Sequence, residues 1–125
     1  MLLNLTDLSD EPLQSQLARQ IRAKILAGEL SATAPLPSIR ALAREQKVSV
    51  ITVQRAYEHL MRENLIHSRR GKGFFVSEVP RTQKKDMAVD RLKDHLERPV
   101  RDAISEGLTV KEIKAALGEI ISKIG

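Results

Sequence analysis

Apolar residues recur every four positions at Leu13, Leu17, Ile21 and Ile25, with Ala18 and Leu26 beside them. A stripe at this spacing predicts an amphipathic helix. Pro12 suits its start, where a missing N–H costs nothing, and Gly28 suits the position just past its end. Ser31 to Pro37 includes two prolines and predicts a loop. Ser38 can then cap a second helix whose inward face is Ile39, Leu42 and Ala43, with Arg40 and Arg44 one turn apart on another face. Gln46-Lys47-Val48 makes a short break. Ser49 offers another cap, and Val53, Ala56, Tyr57, Leu60 and Met61 form the buried stripe of a third helix. Asn64, which tolerates left-handed backbone, is its predicted stop.

Past Asn64 the period shortens. Residues 65–69 and 74–77 read as two strands, joined by Arg70-Gly71-Lys72-Gly73, a glycine-rich turn with two positive charges. Residues 78–86 are polar and charged and predict a linker. Helical spacing returns at Val89, Leu92, Leu96, Val100 and Ala103, with a kink expected at Pro99 and an end at Gly107. Thr109-Val110-Lys111-Glu112 has the spacing of a capping box. It opens a last helix with Ile113, Leu117, Ile120, Ile121 and Ile124 on one face. The expected fold class is mainly α with a small β-hairpin: a winged helix-turn-helix domain over residues 1–77, a linker over 78–86 and a two-helix region over 87–125.

Composition narrows the function. A 42% hydrophobic share of 125 residues is enough for a packed core. No apolar run approaches the ~20 residues that span a bilayer, so a cytoplasmic location without membrane contact is expected. With no cysteine, thiolate chemistry and cysteine–zinc sites are excluded. The net charge of +5 is unevenly spread: residues 38–77 hold eight basic and three acidic side chains, while the segments on either side nearly balance. Such a local excess points to a polyanion, although a solvated basic face would have the same composition. Tyr57, Phe74 and Phe75 are the only aromatics. That is too few for the stacking platforms of single-strand binders, which favours duplex DNA. His59, His67 and His95 sit on three different elements without ligand spacing, and no nucleophile–base pair or phosphate loop stands out. Neither enzymatic activity nor a metal or cofactor is expected.

The run Gly28-Glu29-Leu30, then Leu36-Pro37-Ser38-Ile39-Arg40-Ala41-Leu42-Ala43, resembles the GntR family of bacterial regulators. So do Val48-Ser49, Thr52-Val53, Ala56-Tyr57, Leu60, Glu63, Leu65-Ile66, and Gly71-Lys72-Gly73 with Phe75-Val76. The likeness covers roughly residues 11–77. The Ala-Tyr pair and the short tail are similar to the YtrA-like branch, whose members end in two dimerising helices. Longer relatives carry a ligand-binding or pyridoxal-phosphate domain, for which this chain has no room. Several positions depart from the pattern. Ala32-Thr33 replaces a common Pro-Gly turn, and Lys47 takes the place of the helix-turn-helix glycine, so it needs φ > 0 or a different turn. Val50 stands where relatives often have Arg, and Phe74 where a small polar residue is usual.

The resemblance implies a transcription regulator, by family default a repressor, that binds double-stranded DNA as a homodimer on an inverted-repeat operator. A sequence-independent architectural DNA-coating protein is the alternative. Expected DNA contacts are Ser38, Arg40 and Arg44 at the second helix; Ser49, Val50, Ile51, Thr52, Gln54 and Arg55 in the third; and Arg70, Gly71, Lys72 and Gly73 at the wing tip. The arginines of the second helix would hold phosphates, the third helix would read base edges, and the wing would reach a minor groove or adjacent backbone. Val50 and Ile51 cannot hydrogen-bond, but their methyls suit the thymine methyl, while Gln54 could pair with adenine. Each has a plainer reading: Val50 and Ile51 as core, Arg40 paired with an acid such as Glu45, the tip as a solvated turn. Leu92, Leu96, Val100, Leu117, Ile121 and Ile124 are the expected dimerisation residues, since two helices alone cannot bury both faces within ~45 residues. Any small-molecule effector would need a pocket of ~300 Å³ or more, for which the interdomain or dimer interface is the expected place.

Overall fold

A computed structural model describes all residues, 1–125, as α1 (Leu13–Leu26), β1 (Pro35–Leu36), α2 (Ile39–Gln46), α3 (Val50–Arg62), β2 (Ile66–Arg69), β3 (Gly73–Val76), α4 (Arg81–Ser105) and α5 (Val110–Ile124). The chain divides into two compact units, residues 1–84 and 85–125. No helix is long and apolar enough to cross a membrane.

In the first unit the predicted stripes are the core. Leu17, Ile21 and Ile25 of α1, Leu42 of α2, and Val53, Tyr57 and Leu60 of α3 are fully buried, with Leu65, Ile66 and Val76 closing the sheet side. Helix α3 packs against α1, α2 and β2. Four of the helix ends follow local chemistry. Pro12 precedes α1, its carbonyl accepting from Ser15 and Gln16, while Gly28 follows the helix at φ +84°. Lys47 and Asn64 are left-handed, at φ +57° and +60°. After each, the next residue reaches back to the helix: Val48 N–H donates to the Ala43 carbonyl and Leu65 N–H to the Leu60 carbonyl, both paired with an inner bond from the left-handed residue itself. This closes the last carbonyls of α2 and α3 in Schellman fashion. Lys47 thus takes the strained backbone rather than a different turn.

The sheet is larger than the expected hairpin. Three antiparallel strands run in the order β1-β3-β2, with Ile66 opposite Val76, Arg69 opposite Gly73, and Pro35 opposite Phe75. The segment from Ser31 to Pro37, expected as a loop, therefore contributes an edge strand. Pro35 is tolerated there because an edge strand can lack a ladder donor. Thr33 N–H donates to the Val76 carbonyl and Val76 N–H to the Ala34 carbonyl, extending the pairing.

Two features join elements distant in sequence. Gln16, buried on α1, exchanges bonds with Thr6 in both directions (3.0 and 2.9 Å) and donates to the Glu11 carbonyl at 2.8 Å. Gln20 does the same with Asn4 at 2.7 Å. Two amide side chains thus act as ladder partners for the segment before α1. The Arg22 guanidinium, also buried, donates to both carboxylate oxygens of Glu63 at 2.6–3.1 Å, tying α1 to the end of α3.

The segment expected as a linker over residues 78–86 is irregular only through Pro80, because α4 starts at Arg81, inside the first unit, and runs on into the second. Helix α4 continues through Pro99 and closes at Gly107, φ +94°, where Gly107 N–H donates to Ile104 and Leu108 N–H to Ala103. The capping box before α5 is complete: Thr109 N–H donates to Glu112 Oε1 at 2.9 Å, and Thr109 Oγ1 accepts from Glu112 N–H at 3.2 Å. The Thr109 backbone N–H, and after it the Thr109 hydroxyl, hold the Glu112 carboxyl below its usual range.

Candidate nucleic-acid interface

Helices α2 and α3 are held as a pair by local caps and one long-range bond. Ser38 Oγ accepts from Ala41 N–H and Ser49 Oγ from Thr52 N–H, each at 3.1 Å, so both helices begin at a serine. The Tyr57 ring is buried in the core and its hydroxyl donates to the Pro37 carbonyl at 2.7 Å. This fastens the middle of α3 to the residue just before the α2 cap. Burial, with Glu45's charge adding, pushes the Tyr57 phenol well above its usual range, so it remains a donor at any physiological pH.

Helix α3 therefore presents its first turn outward. Val50 is 45% and Ile51 58% exposed, which removes the core reading of both. Ser49, Gln54 and Arg55 are exposed and Thr52 is half-buried. The polar groups are partly engaged: Thr52 Oγ1 lies 2.9 Å from Ser49 Oγ, and Gln54 Nε2 donates to Glu58 Oε1 at 3.3 Å. On α2, Arg40 and Arg44 are exposed, and Glu45 lies 3.7 Å from the Met1 ammonium rather than on Arg40.

The wing tip is a separate exposed element. Lys72 N–H donates to the Arg69 carbonyl at 2.9 Å, and Gly71 and Gly73 take φ +74° and +103°, a backbone that L side chains rarely adopt. A side chain at either glycine would meet open space, so these glycines serve the turn and leave its outside clear. Arg70 and Lys72 are exposed. Behind the tip, alternation sorts the strands into two faces. Phe74 packs edge-on to Tyr57, ring centroids 4.9 Å apart, which explains an aromatic where a small residue is usual. On the opposite face Phe75 is flanked by His67, stacked at 6.1 Å, and Arg69, whose guanidinium lies 5.2 Å above the ring. His67 Nδ1 also meets Ser77 Oγ at 2.9 Å. The signal for this second face in the sequence is the period-two spacing of His67 and Arg69.

The six residues expected at a dimer contact all lie on α4 and α5. Leu96, Val100 and Leu117 are half-buried, whereas Leu92, Ile121 and Ile124 are 58%, 67% and 82% exposed.

A family model described as bacterial regulatory proteins, gntR family, matches residues 13–76. YhcF, an uncharacterised HTH-type transcriptional regulator of Bacillus subtilis strain 168, is 36% identical over 110 residues, covering 84% of this chain and 86% of its own. The HTH-type transcriptional repressor YtrA of the same organism is 28% identical over 116 residues, with coverage of 93% and 89%. A GntR family transcriptional regulator from Listeria monocytogenes has a solved structure that superposes with a TM-score of 0.76 at 26% identity. The match covers 89% of this chain and 96% of that one.

Proposed function

The chain belongs to the GntR family of bacterial regulatory proteins, and from that premise we propose that it represses transcription by binding an inverted-repeat duplex DNA operator as a homodimer. The carrying observation is the outward first turn of α3, capped by Ser49 and fixed to α2 by the Tyr57–Pro37 bond, in the segment that holds the chain's excess positive charge. A helix presented this way suits the major groove, with its N-terminal residues toward base edges. Arg40 and Arg44 fit phosphates, which fix register without reading sequence. Arg70 and Lys72, on an exposed tip whose glycines leave open space beside them, fit a minor groove or the adjacent backbone.

The domain boundaries follow the same division of labour: a DNA-binding part up to residue 77 and a dimerisation part formed by α4 and α5. Two-fold packing of these helices against a second copy would cover Leu92, Leu96, Val100, Leu117, Ile121 and Ile124 as a four-helix arrangement. The decisive experiment titrates the full chain onto duplexes selected from a random library, with random duplex as competitor, over a range of salt. The selected sequence should win by about a thousandfold or more, as specific sites do. Affinity should fall steeply with salt as counterions are released. Arg40→Ala should weaken selected and random DNA alike. Equal competition by random duplex would instead leave an architectural DNA-coating protein.

A further inference from the structure

We propose that this chain reads its operator chiefly through C5-methyl groups in the major groove, with Val50 and Ile51 as the specificity-determining residues. The inference rests on the DNA-binding reading above and names the chemistry of its recognition.

In the first unit, large apolar side chains are drawn inward except at the segment before α1 and at these two adjacent positions. Val50 and Ile51 are the first two residues of α3, the turn that approaches base edges. Both are β-branched, so a helix holds each in nearly one rotamer, and their methyls are placed with little entropy left to lose. Of the polar side chains at the start of α3, Thr52 and Gln54 are already engaged, and the exposed Arg55 lies more than a turn beyond Val50. The Thr52 hydroxyl is bonded to Ser49, whose own oxygen caps the helix, and the Gln54 amide is bonded to Glu58. Reading adenine through Gln54 would bring the DNA up to the Glu58 carboxylate that its amide holds. Among base edges in the major groove only a C5-substituted pyrimidine offers an apolar group, and thymine supplies it in unmodified DNA. Val50 and Ile51 carry no hydrogen-bonding side-chain group, so at a base edge they can sense only such a methyl.

The test uses the full chain and a duplex selected from a random library. Each thymine in a half-site is replaced in turn by deoxyuridine, which removes the methyl and keeps every Watson–Crick bond, and binding is followed by fluorescence anisotropy at fixed salt. At one or two thymines affinity should drop about fourfold per methyl, the factor expected for one buried carbon. The Val50→Ala/Ile51→Ala double variant should bind thymine and deoxyuridine duplexes equally. Its thermal midpoint should match the parent's, because neither side chain is in the core. A further arm replaces the critical thymine–adenine pair by 5-methylcytosine–guanine. Retained binding assigns recognition to the methyl; lost binding shows that the hydrogen-bonding edge of the pair dominates and overturns a reading chiefly through methyls. If an operator is selected but every deoxyuridine duplex binds as tightly as its parent, methyl reading is wrong and the regulator reading stands. A double variant that still distinguishes thymine from deoxyuridine overturns the assignment to Val50 and Ile51. A library that yields no preferred sequence overturns specific recognition altogether.

Discussion

Residues 1–84 and residues 85–125 are both rich in helix, yet they treat apolar side chains in opposite ways. In the first, every helix delivers a stripe to a shared interior, and the buried polar groups Gln16 and Arg22 are bonded. In the second, neither α4 nor α5 has a single buried residue, although α5 carries Ile113, Leu117, Ile120, Ile121 and Ile124 within fifteen positions. Both of these helices are nonetheless well formed locally, with a glycine C-terminus on one and a complete capping box on the other. Caps set where a helix begins and ends. They contribute about 1 kcal/mol each and do not hide an apolar face. The difference separates two kinds of stability: one unit carries its own partners, and the other carries faces that soluble monomers rarely leave open.

The sharpest way to break this contrast is Leu96→Glu. If the second unit is completed by a second copy, the substitution removes two leucines from one interface and inserts two charges. Each buried leucine contributes roughly 1.5–3 kcal/mol, so the dimer should weaken at least a hundredfold. Sedimentation should show monomer, and operator affinity should fall because one winged helix reaches one half-site. The first unit should keep its fold. A variant that remains dimeric with full operator affinity would remove α4 from the contact.

Glu63→Ala probes the other side. It strands the Arg22 guanidinium inside the first unit, and an uncompensated buried charge typically costs about 3–5 kcal/mol. The loss should be independent of protein concentration, unlike that of Leu96→Glu. Replacing both partners by apolar residues, Arg22→Met with Glu63→Leu, should recover most of the stability in a denaturant titration. If Glu63→Ala alone is nearly neutral, the pair is not what ties α1 to α3.

What could be read from the chain divides along the same physical line. Helix ends were legible because their causes are local: Ser38, Ser49 and Thr109 bond within three residues, and Asn64 and Gly107 need only their own φ. The edge strand at Pro35–Leu36 was not, since two residues around a proline have no periodicity. Helix α4 begins at Arg81 rather than after residue 86 because Thr82-Gln83-Lys84-Lys85 extends it by propensity, without an apolar stripe to announce it. The Arg22–Glu63 pair spans 41 residues, and Gln16 serves a segment ten residues back, so both lay beyond any local rule. At the site, Val50 and Ile51 were ambiguous for a different reason. An apolar residue at a helix start suits a core and a thymine methyl equally, and only its exposure separates them.

The smallest effects come from three left-handed residues that are not glycine, Thr33, Lys47 and Asn64. All lie in the first unit, so their strain is offset by that unit's packing. An L side chain in this region costs roughly 1–2 kcal/mol, less for Asn, whose short polar side chain suits it, and more for a β-branched residue. Replacement by glycine removes the strain and returns part of the gain as unfolded-chain entropy. Thr33→Gly should therefore stabilise the most, by about 1 kcal/mol, Lys47→Gly by about 0.5–1 kcal/mol, and Asn64→Gly by a few tenths at most. Thermal unfolding of the three variants gives the order directly. A 1 kcal/mol gain should raise the midpoint by roughly 4–8 °C in a unit of this size. Lys47→Gly also removes a charge from the α2–α3 turn, so its gain in stability should come with a modest loss of DNA affinity, whereas Asn64→Gly should leave affinity alone. If Thr33→Gly destabilises, the residue's bonds around the edge strand outweigh its backbone strain, and β1 is held more firmly than its two residues suggest.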